Sequence, residues 1–216
     1  MSESPREDRL AQPDAARTVT RMPVGDRRLL MRPHGCFACG ELNVSGLHLQ
    51  LHTSSGRCWA EPVLDERFMG WEGIAHGGII ATILDEVMAW ALVDEDSWGL
   101  TARMTVEFRR PVPVGRRLRA EGRVVERRRR LIRTEARLID PETGDGYATA
   151  EATYIDAPAE RKADLKQRYD FRIEPAAAAE EWDDPWPWPW PWPATDPDGD
   201  AAPRRAGAGE DGEGAG

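Results

Sequence analysis

The sequence predicts an α+β domain in which an antiparallel sheet curls around one long apolar helix. Residues 79–92 are apolar at almost every position, lack proline and glycine, and are too many for one strand, so they read as a buried helix. Four strand-like runs follow it: Thr101 to Phe108, Arg116 to Glu126, Leu131 to Asp140 and Tyr147 to Ile155. Their short connections favour an antiparallel meander, and their alternation buries one face. Leu118, Ala120 and Val124 point inward and Arg117, Arg119, Glu121 and Arg123 outward, as do Ile132, Thr134, Ala136 and Leu138 inward on the next run.

The 216 residues allow one domain with tails. Residues 156–216 hold 15 Asp+Glu against 7 Lys+Arg, which leaves 23 against 22 for residues 1–155, so the acidity belongs to the tail and the domain is nearly neutral. Three cysteines make no disulfide framework, and no apolar run reaches the length of a membrane span or forms a signal-peptide core. A reducing, cytoplasmic setting is the default expectation.

Taken in order, residues 1–30 mix Ser, Pro, Asp, Arg and Ala without apolar periodicity and read as a disordered arm. The domain is expected over residues 31–157. It opens with a CxxC at Cys36 and Cys39; a structural zinc site needs four ligands, and a second CxxC is missing. Cys58, His34 or His48 could complete one, but nothing in the spacing asks for it, and no metal is expected. Leu47 to Leu51 and Arg57 to Val63, separated by a glycine-containing turn, read as a hairpin. A connection over residues 64–75 enters the helix. Residues 158–216 read as an acidic, mostly disordered tail, with a short helix around Ala159 to Tyr169 and a Trp-Pro array at residues 186–193 that could dock on an unknown partner.

Thr82, Asp85, Glu86 and Ala89 interrupt the apolar helix along one stripe. A carboxylate on a buried helix costs several kcal/mol, on the order of the penalty for burying an ion, unless it is paired or used. Just upstream, Gly77 and Gly78 let a ligand approach the helix N-terminus, whose free N–H groups favour developing negative charge. Oxyanion donor plus carboxylate is what acyl-group hydrolysis requires. Eight residues separate Gly77 from Asp85, about 12 Å along a helix, so one carbonyl cannot meet both within one chain. The spacing therefore predicts a dimer with antiparallel helices. Between Arg109 and Arg137 there are twelve arginines and three acids, and Arg109-Arg110 and Arg127 to Arg130 look like phosphate contacts. No nucleic-acid motif accompanies them, so a nucleotide-bearing small ligand is the more economical partner.

The stretch from Gly70 through His76-Gly77-Gly78 to Asp85, with Thr101 and Val106-Glu107-Phe108-Arg109-Arg110-Pro111 downstream, resembles the hotdog-fold acyl-CoA thioesterases. The similarity is greatest to the PaaI-like and THEM-type branch, and Cys36-Phe37-Ala38-Cys39-Gly40…Asn43…Gly46-Leu47 is also like its bacterial members. The resemblance covers residues 34–156. It implies a hotdog fold, a homodimer or dimer of dimers with sites at the subunit interface, acyl-CoA as substrate, and no cofactor. It also implies that Asp85 is nucleophile or base, that Gly77 polarises the thioester carbonyl, that His76 helps orient the loop or the thioester, and that Thr101 assists water. Gly78, Glu86, Arg109, Arg110, Arg128 and Arg129 are the substrate-binding candidates. Some members have asparagine where Gly70 stands. Trp71, Met88 and Trp90 are candidates to line or fill the acyl pocket. A non-catalytic acyl-CoA binding or sensing module on the same fold is the alternative.

Overall fold

The computed structural model describes residues 20–24, 27–54, 56–93 and 97–175. The Trp-Pro array and the rest of the expected tail beyond Pro175 lie outside these residues, as does the arm before Thr20.

The strands in chain order are β1 (Thr20–Val24), β2 (Arg27–Met31), β3 (His52–Ser54), β4 (Arg57–Ala60), β5 (Met69–Trp71), β6 (Ile74–Ala75), β7 (Gly99–Phe108), β8 (Arg119–Arg128), β9 (Leu131–Ile139), β10 (Gly146–Asp156) and β11 (Arg172–Pro175). Helix α1 spans Gly77–Ala91 and α2 spans Ala159–Arg168. Nine strands form one sheet in the order β11-β2-β1-β3-β4-β8-β9-β10-β7, and β5 and β6 pair separately. Helix α1 packs on one face of that sheet and buries Ile80, Ile83, Leu84, Val87 and Met88. Its apolar side meets Leu118, Ala120, Ile132, Ala136, Leu138, Ala148 and Ala150.

One position fixes how close helix and sheet can come. A Cβ on Gly122 would lie 2.6 Å from the Val87 carbonyl carbon and oxygen and 2.8 Å from the Met88 nitrogen. Only glycine lets β8 run against the backbone of α1 there.

Several expectations are corrected. Strand β7 does not pair with β8; it pairs with β10, so only β8-β9-β10 form a meander. After Phe108 the amides of Arg109 and Arg110 bond to Tyr147 O, and the chain then crosses to meet Ala75 through Val112 O at 2.9 Å. Pro111 and Pro113 keep this crossing from hairpinning. The expected strand Leu47 to Leu51 joins no ladder: Leu47 N bonds to Phe37 O and Leu49 N to Ala38 O in the CxxC loop, and His48 between them takes a left-handed φ of 49°. Its alternation is still right: Leu49 and Leu51 are buried and His48 and Gln50 exposed.

Among the described residues strands begin at Thr20 rather than near Met31, and β1 and β2 pair antiparallel. Beyond the expected domain end, α2 forms as foreseen, and β11 then joins β2 at the sheet edge. The outer face of the sheet is also not simply solvated. Arg119 is 3%, Glu121 5% and Arg137 4% exposed, because Glu121 lies between two guanidinium forks, at 3.0 Å from Arg119 Nε and 2.7 Å from Arg137 Nε. The Arg119 guanidinium also sits 5.3 Å from the centre of the Trp59 ring. The three charges are desolvated together, which an isolated one could not be.

Candidate active site

The β5–β6 ribbon turns at Gly73, whose φ of +74° suits glycine, and delivers the chain to His76. His76 caps α1: its Nδ1 accepts the Gly78 N–H at 2.9 Å, and its own amide donates to Phe68 O at 2.8 Å. With Nδ1 an acceptor, the proton of the neutral ring is on Nε2. Gly70 lies beneath the imidazole, and a Cβ there would be 3.1 Å from His76 Cα. Any larger residue at position 70 must displace that backbone.

Ile79 and Ile80 both donate to His76 O, Gly78 donates to the imidazole, and among the described residues the Gly77 amide has no hydrogen-bond partner. It stands at the positive end of α1 beside the Phe108 ring. An open cavity of about 490 Å³ adjoins it, lined by Trp71, His76, Gly77, Phe108, Arg109 and Arg110 among others.

Two turns further along α1, the Asp85 carboxylate faces β7 and β10. Its Oδ1 accepts the Thr101 hydroxyl at 2.8 Å and the Tyr154 hydroxyl at 2.6 Å. The same Tyr154 hydroxyl lies 3.0 Å from Asp85 O. Asp85 Oδ2 has no hydrogen bond among the described residues. Burial, and then the neighbouring carboxylate, push the Tyr154 phenol well above its usual range, so it remains a donor. Tyr154 is absent from the sequence-derived candidates, although the alternation of β10 places it on the helix side, where a buried tyrosine needs a partner for its hydroxyl.

Gly77 adjoins the Phe108 end of β7 and Asp85 the Thr101 end. Within one chain the two half-sites are not brought to one point.

Residues 72–147 match the thioesterase superfamily. The folded domain has the hotdog fold of two solved structures. One is a thioesterase superfamily protein, 24% identical over 56% of this chain and 60% of its own, with a TM-score of 0.53. The other is zebra fish thioesterase superfamily member 2, 17% identical over 55% of this chain and 90% of its own, with a TM-score of 0.51. The chain thus spans about 60% of the length of the first. No curated protein matches it. Among the described residues no helix is long and apolar enough to cross a membrane.

Glu86 does not share the surroundings of Asp85. One residue on, and so about 100° round the helix, it accepts Trp90 Nε1 at 2.8 Å and lies 4.0 Å from Cys36 Sγ. Burial first, and then negative charge at Cys36, push its carboxyl up to about 7. The Cys39 thiol and the amides of Cys39 and Ala38 hold Cys36 down at about 5, against the opposing effect of burial. Glu86 thus belongs to the CxxC loop and not to the face carrying Asp85. Met88 is fully buried and Trp90 nearly so, both within the core, whereas Trp71 is 82% exposed beside the cavity at Gly77. Of these three side chains only Trp71 borders that cavity.

The arginines divide by position. Arg109 and Arg110 border the Gly77 cavity, with Arg110 2.9 Å from Asp145 and Arg109 3.6 Å from Glu107. Arg128 and Arg129 occupy the β8–β9 turn; Arg128 pairs with Glu126, and Arg129 takes a left-handed φ of 54°. That turn lies at the opposite end of the sheet, since Arg128 pairs with Leu131, Leu131 with Ile155, and Ile155 with Leu100. Arg116, Arg117, Arg123 and Arg133 also pair with acids, so much of the expected phosphate patch is internally neutralised.

Proposed function

We propose that this chain is an acyl-CoA thioester hydrolase acting as a homodimer with shared sites. The observation that carries the reading is the Asp85 carboxylate, oriented through one oxygen by two hydroxyls while the other oxygen is left to act.

Strand β7 supports the dimer. It is a ten-residue edge strand with Leu100 79% and Phe108 56% exposed, and an open edge of that length is a template for pairing. Antiparallel pairing of β7 with a second copy runs the two α1 helices antiparallel as well. Gly77 of the partner subunit then approaches Asp85. In this arrangement the thioester carbonyl oxygen takes the Gly77 N–H, reinforced by the helix dipole. Asp85 either attacks the carbonyl carbon, expelling the CoA thiolate and forming an acyl-aspartyl anhydride that water then hydrolyses to the free acid, or takes a proton from the water that attacks the carbonyl as the CoA thiolate leaves. His76 holds the Gly78 amide and so fixes the backbone that presents the Gly77 N–H. Thr101 keeps the carboxylate aimed. Arg109 and Arg110 meet the CoA phosphates at the mouth of the Gly77 cavity.

A panel of short-, medium- and long-chain and aromatic acyl-CoAs, read by free-thiol release, tests the proposal. Turnover with at least one class is expected. Measurable acyl-CoA affinity with no thiol release from any of them would replace the hydrolase with a binding or sensing module.

A further inference from the structure

The proposed hydrolysis leaves one reactive cluster unused, on another side of α1. Cys36 and Cys39 sit in a single tight turn closed by Gly40 N–H donating to Cys36 O at 3.0 Å. A Cβ at Gly40 would fall 2.3 Å from His34 O, 2.4 Å from Cys36 N and 2.6 Å from Cys36 O. The CxxCG sequence is therefore wound as tightly as its backbone permits, with both sulfurs turned to one side. Amides within the turn donate to the first sulfur. Leu42 N to His34 O, Leu47 N to Phe37 O and Leu49 N to Ala38 O bind the flanks, so the turn is held from three directions.

The two sulfurs point at Glu86. A ligand atom from each of Cys36, Cys39 and Glu86 lies within 4.8 Å of the other two. Glu86 stands on a largely apolar helix, and among the described residues no Lys or Arg pairs with it. A partly buried carboxylate facing two sulfurs without a cation is an expensive arrangement. Trp90 Nε1, at 2.8 Å, orients Oε1 as an outer-shell donor orients a metal-binding carboxylate.

We propose that Cys36, Cys39 and Glu86 form a binding site for a zinc-class divalent cation. Zn–S near 2.3 Å and Zn–O near 2.0 Å put tetrahedral ligand atoms about 3.3–3.8 Å apart. The 4.0 Å between Cys36 Sγ and Glu86 Oε1 closes to that range by small side-chain rotations. Two sulfurs select zinc over magnesium or calcium. Cys36 is only partly buried, which leaves the fourth position to water. The bound ion neutralises Glu86 and clamps residues 34–40 to α1 one residue from Asp85. Neither the site nor its test depends on hydrolysis.

The test is metal content and cobalt spectroscopy on the full-length protein, purified with a non-chelating reductant. About one zinc per chain is expected. Cobalt(II) replacing it should give a thiolate-to-metal band in the near ultraviolet and tetrahedral bands in the visible. Cys39→Ser should weaken or abolish both, and Glu86→Gln should weaken cobalt affinity at least tenfold while keeping the thiolate band. Should the cysteine variants fail to fold, the wild-type spectrum and the Glu86→Gln titration still decide. Wild-type protein that holds no stoichiometric zinc and gives no thiolate band overturns the proposal. So does a band that survives in folded Cys39→Ser, or a Cys36–Cys39 disulfide that forms equally fast with and without zinc.

Discussion

Replacing Tyr154 with Phe removes one hydroxyl and keeps the ring that fills the core. That hydroxyl donates to Asp85 Oδ1 at 2.6 Å and lies 3.0 Å from Asp85 O. A hydrogen bond to a charged group contributes about 1.5–3 kcal/mol. If that interaction keeps the carboxylate aimed, kcat/KM should fall about 10- to 150-fold, at 1.36 kcal/mol per decade. Stability should fall by only about 1–2 kcal/mol, or roughly 3–6 °C in Tm for a domain of this size. The assay is thiol release from the best acyl-CoA, with Tm measured on the same preparation. Activity within twofold of wild type, alongside the expected small loss of Tm, would show that Tyr154 supports the core but not the chemistry.

Other outcomes follow from the same coordinates. Gly122→Ala places a Cβ 2.6 Å from the Val87 backbone and should cost about 2 kcal/mol or more, read as a Tm loss of at least roughly 4 °C. Arg109→Gln with Arg110→Gln should raise KM for acyl-CoA more than it lowers kcat, and the effect should shrink for a pantetheine thioester lacking the nucleotide. Arg128→Gln should change KM less, because Arg128 is exposed and already pairs with Glu126. Burial holds the Tyr154 phenol above its usual range, so wild-type activity should show no tyrosine-dependent alkaline loss up to about pH 10.

The parts of this fold that could be read in the sequence are those where a pattern maps onto one physical cause. An apolar run from Ile79 to Leu92 has only the helical solution, and the period of two in β8 and β9 orients their side chains without knowledge of neighbours. The pairing of β7 with β10 was not readable, because it depends on how the proline-containing crossing from Arg109 to Leu118 passes the helix start. The β1–β2 pairing did leave a signal: Gly25-Asp26 between two short runs is a turn pair, but the charged surroundings masked it. At the candidate site, His76, Gly77 and Asp85 carry a local motif and were named from it. Tyr154 and the approach of Glu86 to the CxxC are contacts 69 and 50 residues apart in sequence, and only packing brings them together. The stripe argument put Asp85 and Glu86 on one face; the turn of about 100° between adjacent helical residues sends them to different neighbours.

The central claim is that the Asp85 carboxylate is the reacting group, and one comparison tests it most directly. Steady-state thiol release by Asp85→Asn should be two to four orders of magnitude below wild type, roughly the loss on removing a catalytic base or nucleophile, with Tm and oligomeric state retained. Glu86→Gln in the same assay should stay within about tenfold of wild type, because its carboxylate faces the cysteines rather than the Thr101 and Tyr154 hydroxyls. Wild-type turnover in Asp85→Asn together with an inactive, folded Glu86→Gln would contradict the account.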